Sequence, residues 1–273
     1  MTDVFNAPSP AARLQSDTHH VETITWVKHW TETYFSFGLT RPASFRFRSG
    51  EFVMIGLPGE TKPIMRAYSI ASPHWAEELE FFSIKVPDGP LTSRLQKIQP
   101  GDQIFLAKKP TGTLVLDALR PGKRLFLIGT GTGLAPWLSI ARDPETFERF
   151  EEVIVAHTVR EVRDLAYRDL FERELHEDEF LGEMASEQLV YYPTVTREDF
   201  IHKGRITDLI ISGQKFRDLG LEAGKFNPEE DRVMLCGSMS MIKELAALLE
   251  EHGMAEGSNG DPGDFVIERA FVG

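Results

Sequence analysis

The chain has 273 residues, with 30 lysines and arginines against 42 aspartates and glutamates, for a net charge of −12. With 41% hydrophobic and 10% aromatic residues it has enough apolar material for packed cores, which excludes an extended disordered chain, and its length suits one large or two ordinary domains. The single cysteine, Cys236, excludes an internal disulfide and any four-thiolate metal or iron-sulfur site, and no His/Asp/Glu spacing suggests another metal.

The segment Met1 to Asp17 lacks the apolar stretch of a signal peptide, and no run approaches ~18 uninterrupted apolar residues, so a soluble cytoplasmic protein without membrane spans is expected. Residues 1–20 read as an N-terminal extension. From 21 to 122 short extended segments alternate with turns: Glu22 to His29, Ser44 to Phe47, Glu51 to Ile55, Leu79 to Val86 and Gln103 to Ala107, broken at Ser49-Gly50, Pro58-Gly59, Asp88-Gly89-Pro90 and Pro100-Gly101. That spacing predicts an antiparallel barrel or sandwich, interrupted by one helix from about Leu91 to Ile98.

After Pro121-Gly122 the period changes. Leu125 to Ile128, Val153 to His157, Leu189 to Pro193 and Val233 to Cys236 read as strands, with helices after Pro136, over Ala166 to Leu175, Thr207 to Ser212 and Ser240 to His252. Residues 123–273 are therefore expected to form a parallel α/β unit. The charge divides at the same place. Up to and including Arg124 there are 15 basic and 12 acidic side chains, and beyond it 15 and 30. An acidic partner is tolerated by the first part and repelled by the second, and the acidic bulk disfavours nucleic acid.

The sharpest local signal is a strand, Leu125 to Ile128, running into Gly129-Thr130-Gly131-Thr132-Gly133 and a helix with Pro136 in its first turn. Amides and the helix dipole converge there on a spot suited to a phosphate. A tight turn packed for its own sake is the alternative. Arg160, Arg197 and Arg205 follow the next two strands, with Thr196 beside them. In so acidic a half they suit an extra 2′-phosphate, favouring NADP over NAD, or else each pairs with a local acid such as Glu161 or Glu198.

In the first half, Arg66-Ala67-Tyr68-Ser69 offers a guanidinium for a diphosphate, a planar ring for stacking and a hydroxyl donor, a set that fits a flavin laid on a barrel. An ordinary strand with an aromatic cross-strand pair is the alternative. Ser83-Ile84-Lys85-Val86 and Gly89-Pro90-Leu91-Thr92-Ser93 lead into a helix and form a second anion-binding turn, or a simple turn capped by Thr92. Cys236-Gly237-Ser238-Met239 ends the last predicted strand with small residues that would let a nicotinamide lie close, the alternative being that Cys236 is just a small buried hydrophobe.

These motifs, together with the ending Glu268-Arg269-Ala270-Phe271-Val272, occur in one order and resemble the ferredoxin-NADP+ reductase family, specifically its short bacterial branch of flavodoxin or ferredoxin reductases. The resemblance covers about Val21 to Gly273. It implies an N-terminal antiparallel FAD-binding β-barrel followed by an NADP-binding α/β domain with a five-stranded parallel sheet. By it, Arg66 holds the FAD diphosphate, Tyr68 stacks on the isoalloxazine and Ser69 lies near flavin N5. Ser83 to Val86, Gly89 to Ser93 and Thr132 complete that site. Gly131, Gly133, Gly237, Ser238 and Met239 are further candidate cofactor-binding residues. Arg160, Thr196, Arg197 and Arg205 take the adenosine 2′-phosphate end, with Asp231 near the adenine, and Ser69, Cys236 and Glu268 surround the hydride-transfer centre. Plastid members end in an aromatic residue stacked over the flavin. Here Ala270 stands at that position and Phe271 is the candidate for contact with the adenine of FAD.

The expected function is exchange of hydride with NADP(H) and of single electrons with ferredoxin or flavodoxin, by a monomer, with Arg41, Arg46, Arg48, Lys108 and Lys109 as candidates for steering the carrier. The alternatives are an NADPH-dependent flavin or quinone reductase and a non-catalytic flavin-binding electron-transfer subunit.

Overall fold

The computed structural model describes residues 14–221 and 224–269. Strands β1 (His19–His29), β2 (Tyr34–Thr40), β3 (Phe52–Leu57), β4 (Ile64–Ser69), β5 (Glu78–Ile84) and β6 (Gln103–Ala107) form an antiparallel sheet of order β4-β3-β6-β1-β2-β5. The sheet curls until its edges meet. The bridge Ile70↔Phe81 and the bond from Ala71 N to Glu80 O (2.8 Å) join the β4 and β5 sides at one end, and among the described residues no ladder continues along the seam. Inward residues alternate along each strand. Phe35, Phe37 and Phe81 stack at 5.5–5.8 Å in the interior, packed with Val53, Ile55, Ile104 and Leu106.

The segment Ser44 to Phe47, expected as a strand, is not one. Phe45 and Phe47 are buried, but the Phe45 carbonyl accepts from Arg41 Nε and Nη2 (3.2 and 2.9 Å) and its N–H donates to Pro42 O (2.8 Å), so the backbone is satisfied locally rather than by a ladder. The helix expected over Leu91 to Ile98 is confined to α1 (Thr92–Leu95), with single turns carrying the chain on to Ile98.

The second sheet is wholly parallel: β7 (Arg124–Thr130), β8 (Glu152–Val159), β9 (Leu189–Val195), β10 (Asp231–Gly237) and β11 (Phe265–Arg269), in the order β11-β10-β7-β8-β9. Helices α2 (Ala135–Ile140), α3 (Pro144–Arg149), α4 (Gly182–Gln188), α5 (Ile206–Ile211), α6 (Gln214–Asp218) and α7 (Met239–Glu251) connect the strands. Helix α7 is capped by Ser238 and buries Met241, Ile242, Leu245 and Leu249 along one stripe. The continuous helix expected over Ala166 to Leu175 is interrupted. Tyr167 has φ 61°, in the left-handed region a helix excludes, and only Leu170–Glu174 closes a π-type turn. The chain moves outward from β7 to β8 and β9, then returns to the other side of β7 as β10. The carboxyl ends of β7 and β10 therefore flank the crevice where strand order reverses, the usual ligand position in such sheets.

Helix α2 and the segment after β8 dock the second unit onto the barrel. Ser139 Oγ donates to Ser72 O (2.8 Å), and Arg142 donates to Ala71 O (2.6 Å) and Glu80 Oε2 (2.7 Å). Tyr167 Oη lies 2.6 Å from Ser36 Oγ and 2.7 Å from Glu80 Oε1, while Trp30 Nε1 donates to the same Ser36 oxygen (2.8 Å). Tyr167 is the shared member of this buried network, and its phenol is pushed well above the ordinary range by burial and by Glu80, so it stays a donor. The Tyr167→Phe variant keeps the packing but strips Glu80 and Ser36 of one bond each. It should lose about 1–3 kcal/mol of stability, read as a lower thermal midpoint, whereas an unchanged midpoint would show that the network contributes nothing net.

Candidate functional site

The open seam of the barrel faces the crevice of the parallel sheet. One cleft is lined by Arg66, Ala67, Tyr68 and Ser69 of β4, by Phe82, Ser83, Ile84 and Val86 at the end of β5, by Pro90, Leu91 and Thr92 at α1, and across from them by Thr132, Ala135 and Cys236. Twelve of the residues singled out from sequence line it. Phe82 and Ala135 were missed. Phe82 reads as one more buried aromatic in an apolar run, and Ala135 carries no chemistry to flag it.

Tyr68 is fixed from several sides. Its ring stands edge-on to Phe37 and Phe81 (66° and 86°), and its hydroxyl lies 3.1 Å from Ser83 Oγ. Burial raises its phenol, so it is neutral. Arg66 donates from Nη1 only to the carbonyl of its neighbour Met65 (2.9 Å), leaving the rest of the guanidinium unengaged among the described residues. Thr92 Oγ1 donates to Val86 O (3.2 Å), and a Cβ on Gly89 would lie 2.1 Å from that hydroxyl oxygen, so this turn needs glycine. Lys85 is the exception in its segment, because its ammonium donates to Thr31 O (2.7 Å) and it does not line the cleft.

Across the cleft, two strand ends are pressed together. A Cβ on Gly133 would lie 2.3 Å from Cys236 O, and Gly237 has φ 142° with its Cβ position 2.3 Å from Thr130 Oγ1. Only glycine permits that approach. Thr130 Oγ1 accepts from Ser238 N (2.8 Å), stitching the β7 turn to the start of α7, where Met239 is partly exposed. Gly131, at φ 55°, opens the turn into α2.

Glu268 joins the two sides. It is the register partner of Cys236 on the neighbouring parallel strand, and its Oε1 accepts from Ser69 Oγ (3.4 Å). Its Oε2 is buried without a partner. Burial pushes this carboxyl up to about 8, and the hydrogen bonds from Ser69 and the Thr113 N–H offset that only in part. The buried Cys236 thiol is pushed well above its ordinary range, by burial first and then by Glu268. Near neutrality the cluster therefore holds a carboxylic acid and a thiol, both uncharged.

Beyond the glycine turn, Arg160 and Arg197 lie side by side, with Arg197 N donating to Arg160 O (2.9 Å) and Thr196 N to Val159 O (3.1 Å). Neither guanidinium has a side-chain hydrogen bond or ion pair among the described residues. Their expected acids are used elsewhere, since Glu161 pairs with Arg163 (2.7 Å) and Glu198 accepts from Val162 N (3.0 Å). Arg205 differs. Both Glu244 oxygens hold its Nη2 (2.7 and 2.8 Å), so its charge is already answered.

The expectation for Asp231 is corrected by its place. It begins β10, at the amino edge of the sheet and the opposite end from Cys236, where it is buried and ion-paired with Arg124 (2.7 Å). Its role there is structural. Among the steering candidates, Arg41 is turned inward onto the carbonyls of Phe45, His74 and Ala76, and Arg48 pairs with Glu51. Ala270 and Phe271 lie outside the described residues. Among the described residues no His/Cys/Asp/Glu group has metal-binding geometry, and no helix is long and apolar enough to cross a membrane.

Comparison with known proteins finds two family matches along the chain. An oxidoreductase FAD-binding domain family matches residues 19–116, and an oxidoreductase NAD-binding domain family matches residues 127–246. A flavodoxin/ferredoxin–NADP reductase of Rhodobacter capsulatus is 57% identical over 253 residues, covering 92% of this chain and 93% of that one. A ferredoxin–NADP reductase of Pseudomonas aeruginosa is 54% identical over 254 residues, with 93% and 98% covered. Among solved structures, a ferredoxin NADP+ reductase from Neisseria gonorrhoeae with bound FAD and NADP superposes with a TM-score of 0.83 at 32% identity, covering 94% of this chain and all of that one.

The neutral acid at Glu268 has a measurable consequence. Its folded pKa of about 8 exceeds the ordinary 4.5, so between these values the folded state binds a proton that the unfolded chain does not, and stability falls as pH rises. One such group contributes a slope of up to about 1.4 kcal/mol per pH unit. Glu268→Gln should remove that slope, so urea midpoints of variant and parent should diverge in the variant's favour from pH 5 to pH 8. Parallel curves would show that the carboxyl ionises normally.

Proposed function

The chain belongs to the ferredoxin/flavodoxin–NADP reductase family, and from that premise we propose how its residues divide the work of an FAD-dependent oxidoreductase that exchanges hydride with NADP(H) and single electrons with a ferredoxin or flavodoxin. Residues 21–122 serve as the FAD-binding unit and 123–273 as the NADP-binding unit. The observation that carries the reading is the single cleft in which the unengaged Arg66, the immobilised Tyr68 ring and Ser69, backed by its bond to Glu268, face the glycine-closed ends of β7 and β10.

The residues present fit FAD. Arg66 is a free guanidinium suited to a diphosphate, with Ser83 to Val86 and the Gly89 to Ser93 turn beside it. Tyr68 is a ring of fixed plane suited to a flat tricycle. When bound, FAD supplies the exchange of electron pairs with a nicotinamide and of single electrons with a protein carrier. The chain itself binds and orients. Gly131 and Gly133 with Gly237 to Met239 cradle the nicotinamide dinucleotide at the switch point, Thr132 between the two glycines borders both it and the FAD cleft, and Cys236, small and uncharged, leaves room for the nicotinamide beside Ser69. Ser69 and the protonated Glu268 hold an exchangeable proton at the inner wall. Arg160 and Arg197, with Thr196, take the 2′-phosphate. Arg205 joins them only by giving up Glu244.

The partner, an acidic ferredoxin or flavodoxin, docks on the barrel side, where net charge is slightly positive, rather than on the acidic parallel-sheet unit. Anaerobic titration should show NADPH reducing the bound flavin far better than NADH. The Arg160→Ala/Arg197→Ala variant should weaken NADPH use about tenfold or more and leave NADH use unchanged, since each charge-assisted bond contributes roughly 1.5–3 kcal/mol before solvent screening. Ser69→Ala should retain FAD but slow hydride transfer in stopped-flow traces, and wild-type rates would remove Ser69 from the reaction.

A further inference from the structure

His157 lies behind the glycine turn and was not among the site residues expected from sequence. It stands in β8, in register with Gly129 on β7 and Pro193 on β9, and is completely buried. Its Nε2 lies 3.0 Å from the carbonyl oxygen of Gly131, and its Nδ1 is buried without a partner. A carbonyl only accepts, so Nε2 carries the hydrogen and Nδ1 is bare, which makes the ring a neutral imidazole of one defined tautomer. Burial agrees, lowering its pKa to about 4.

The bond has a geometric effect one residue further on. In a trans peptide the C=O of one residue and the N–H of the next point in opposite directions. With the Gly131 carbonyl turned to His157, the Thr132 N–H of the same peptide points away from the imidazole, and Thr132 is among the residues that line the cleft. The turn has little freedom to do otherwise. Gly131 sits at φ 55°, and a Cβ there would lie 3.1 Å from Tyr34 Oη, so the position favours glycine.

We propose that His157 is a positioning residue for the nicotinamide dinucleotide, its Nε2–H latching the Gly131 carbonyl so that the Thr132 amide is presented to the ligand. The proposal rests on the dinucleotide reading of the glycine turn. It also explains a fully buried histidine whose second nitrogen has no partner, because only one nitrogen is needed and a larger polar group would not be satisfied there.

The test uses the FAD-loaded protein and NADP+ as the probe, with binding measured by calorimetry and steady-state kinetics followed in parallel. Glutamine reaches as far as Nε2 with an amide donor, asparagine only as far as Nδ1, and leucine fills the space without a donor. His157→Leu and His157→Asn should each raise the Kd for NADP+ and the KM for NADPH about tenfold, with kcat at saturation within about twofold and FAD content unchanged. His157→Gln should stay within about threefold of the parent. If His157→Leu loses its FAD through misfolding, the Gln and Asn pair decides, and equal Kd values for those two would overturn the proposal. Parental affinity in a well-folded His157→Leu would overturn it as well while leaving the dinucleotide site intact. A parent that binds no NADP+ would instead overturn the dinucleotide reading, and this proposal with it.

Discussion

The seam of the barrel is held against the crevice of the parallel sheet by the hydrogen bonds that α2 and the residues after it send to the strand end just past Ser69. Ser139 and Arg142 bind the carbonyls of Ser72 and Ala71, and α2 begins at the glycine turn itself, so one short rigid segment spans from the dinucleotide side to the β4 side of the cleft. A displacement at either end is passed to the other because the helix between them is wholly buried. Tyr167, Glu80 and Ser36 reinforce the same junction from the outer strands of the barrel. Placing two reactants in contact requires that neither wall move independently, and this junction meets that requirement.

Charge is distributed to the same end. The inner wall is neutral, with a protonated carboxyl at Glu268, an undissociated thiol at Cys236 and a neutral phenol at Tyr68. The unanswered charges sit at the extremities, Arg66 at one and Arg160 with Arg197 at the other. Anionic groups of two nucleotides are thus drawn to the ends of the site, leaving its centre uncharged.

Much of this arrangement was legible in the amino-acid order because its signals are local. Gly129 to Gly133, Arg66 to Ser69 and Cys236 to Ser238 each hold their chemistry within a few residues, and their shared order pointed to the family. What escaped depends on contacts distant in sequence. Strand β2 shows no polar face because the barrel core covers one side and Trp30 with Tyr167 covers the other, so Ser36 is buried like its neighbours. Strand β4 is half-buried throughout, as suits the lip of a cleft, and shows no clean alternation. Asp231 is held at the amino edge of β10 by Arg124, 107 positions away in sequence, and Arg205 is answered by Glu244, 39 positions away.

The most direct test is a diffraction map of the protein loaded with FAD. The account predicts the isoalloxazine in the cleft between the Tyr68 ring and the Thr132 and Cys236 wall, with the diphosphate on Arg66. Density for the ring system anywhere else, with this cleft left to solvent, would contradict it.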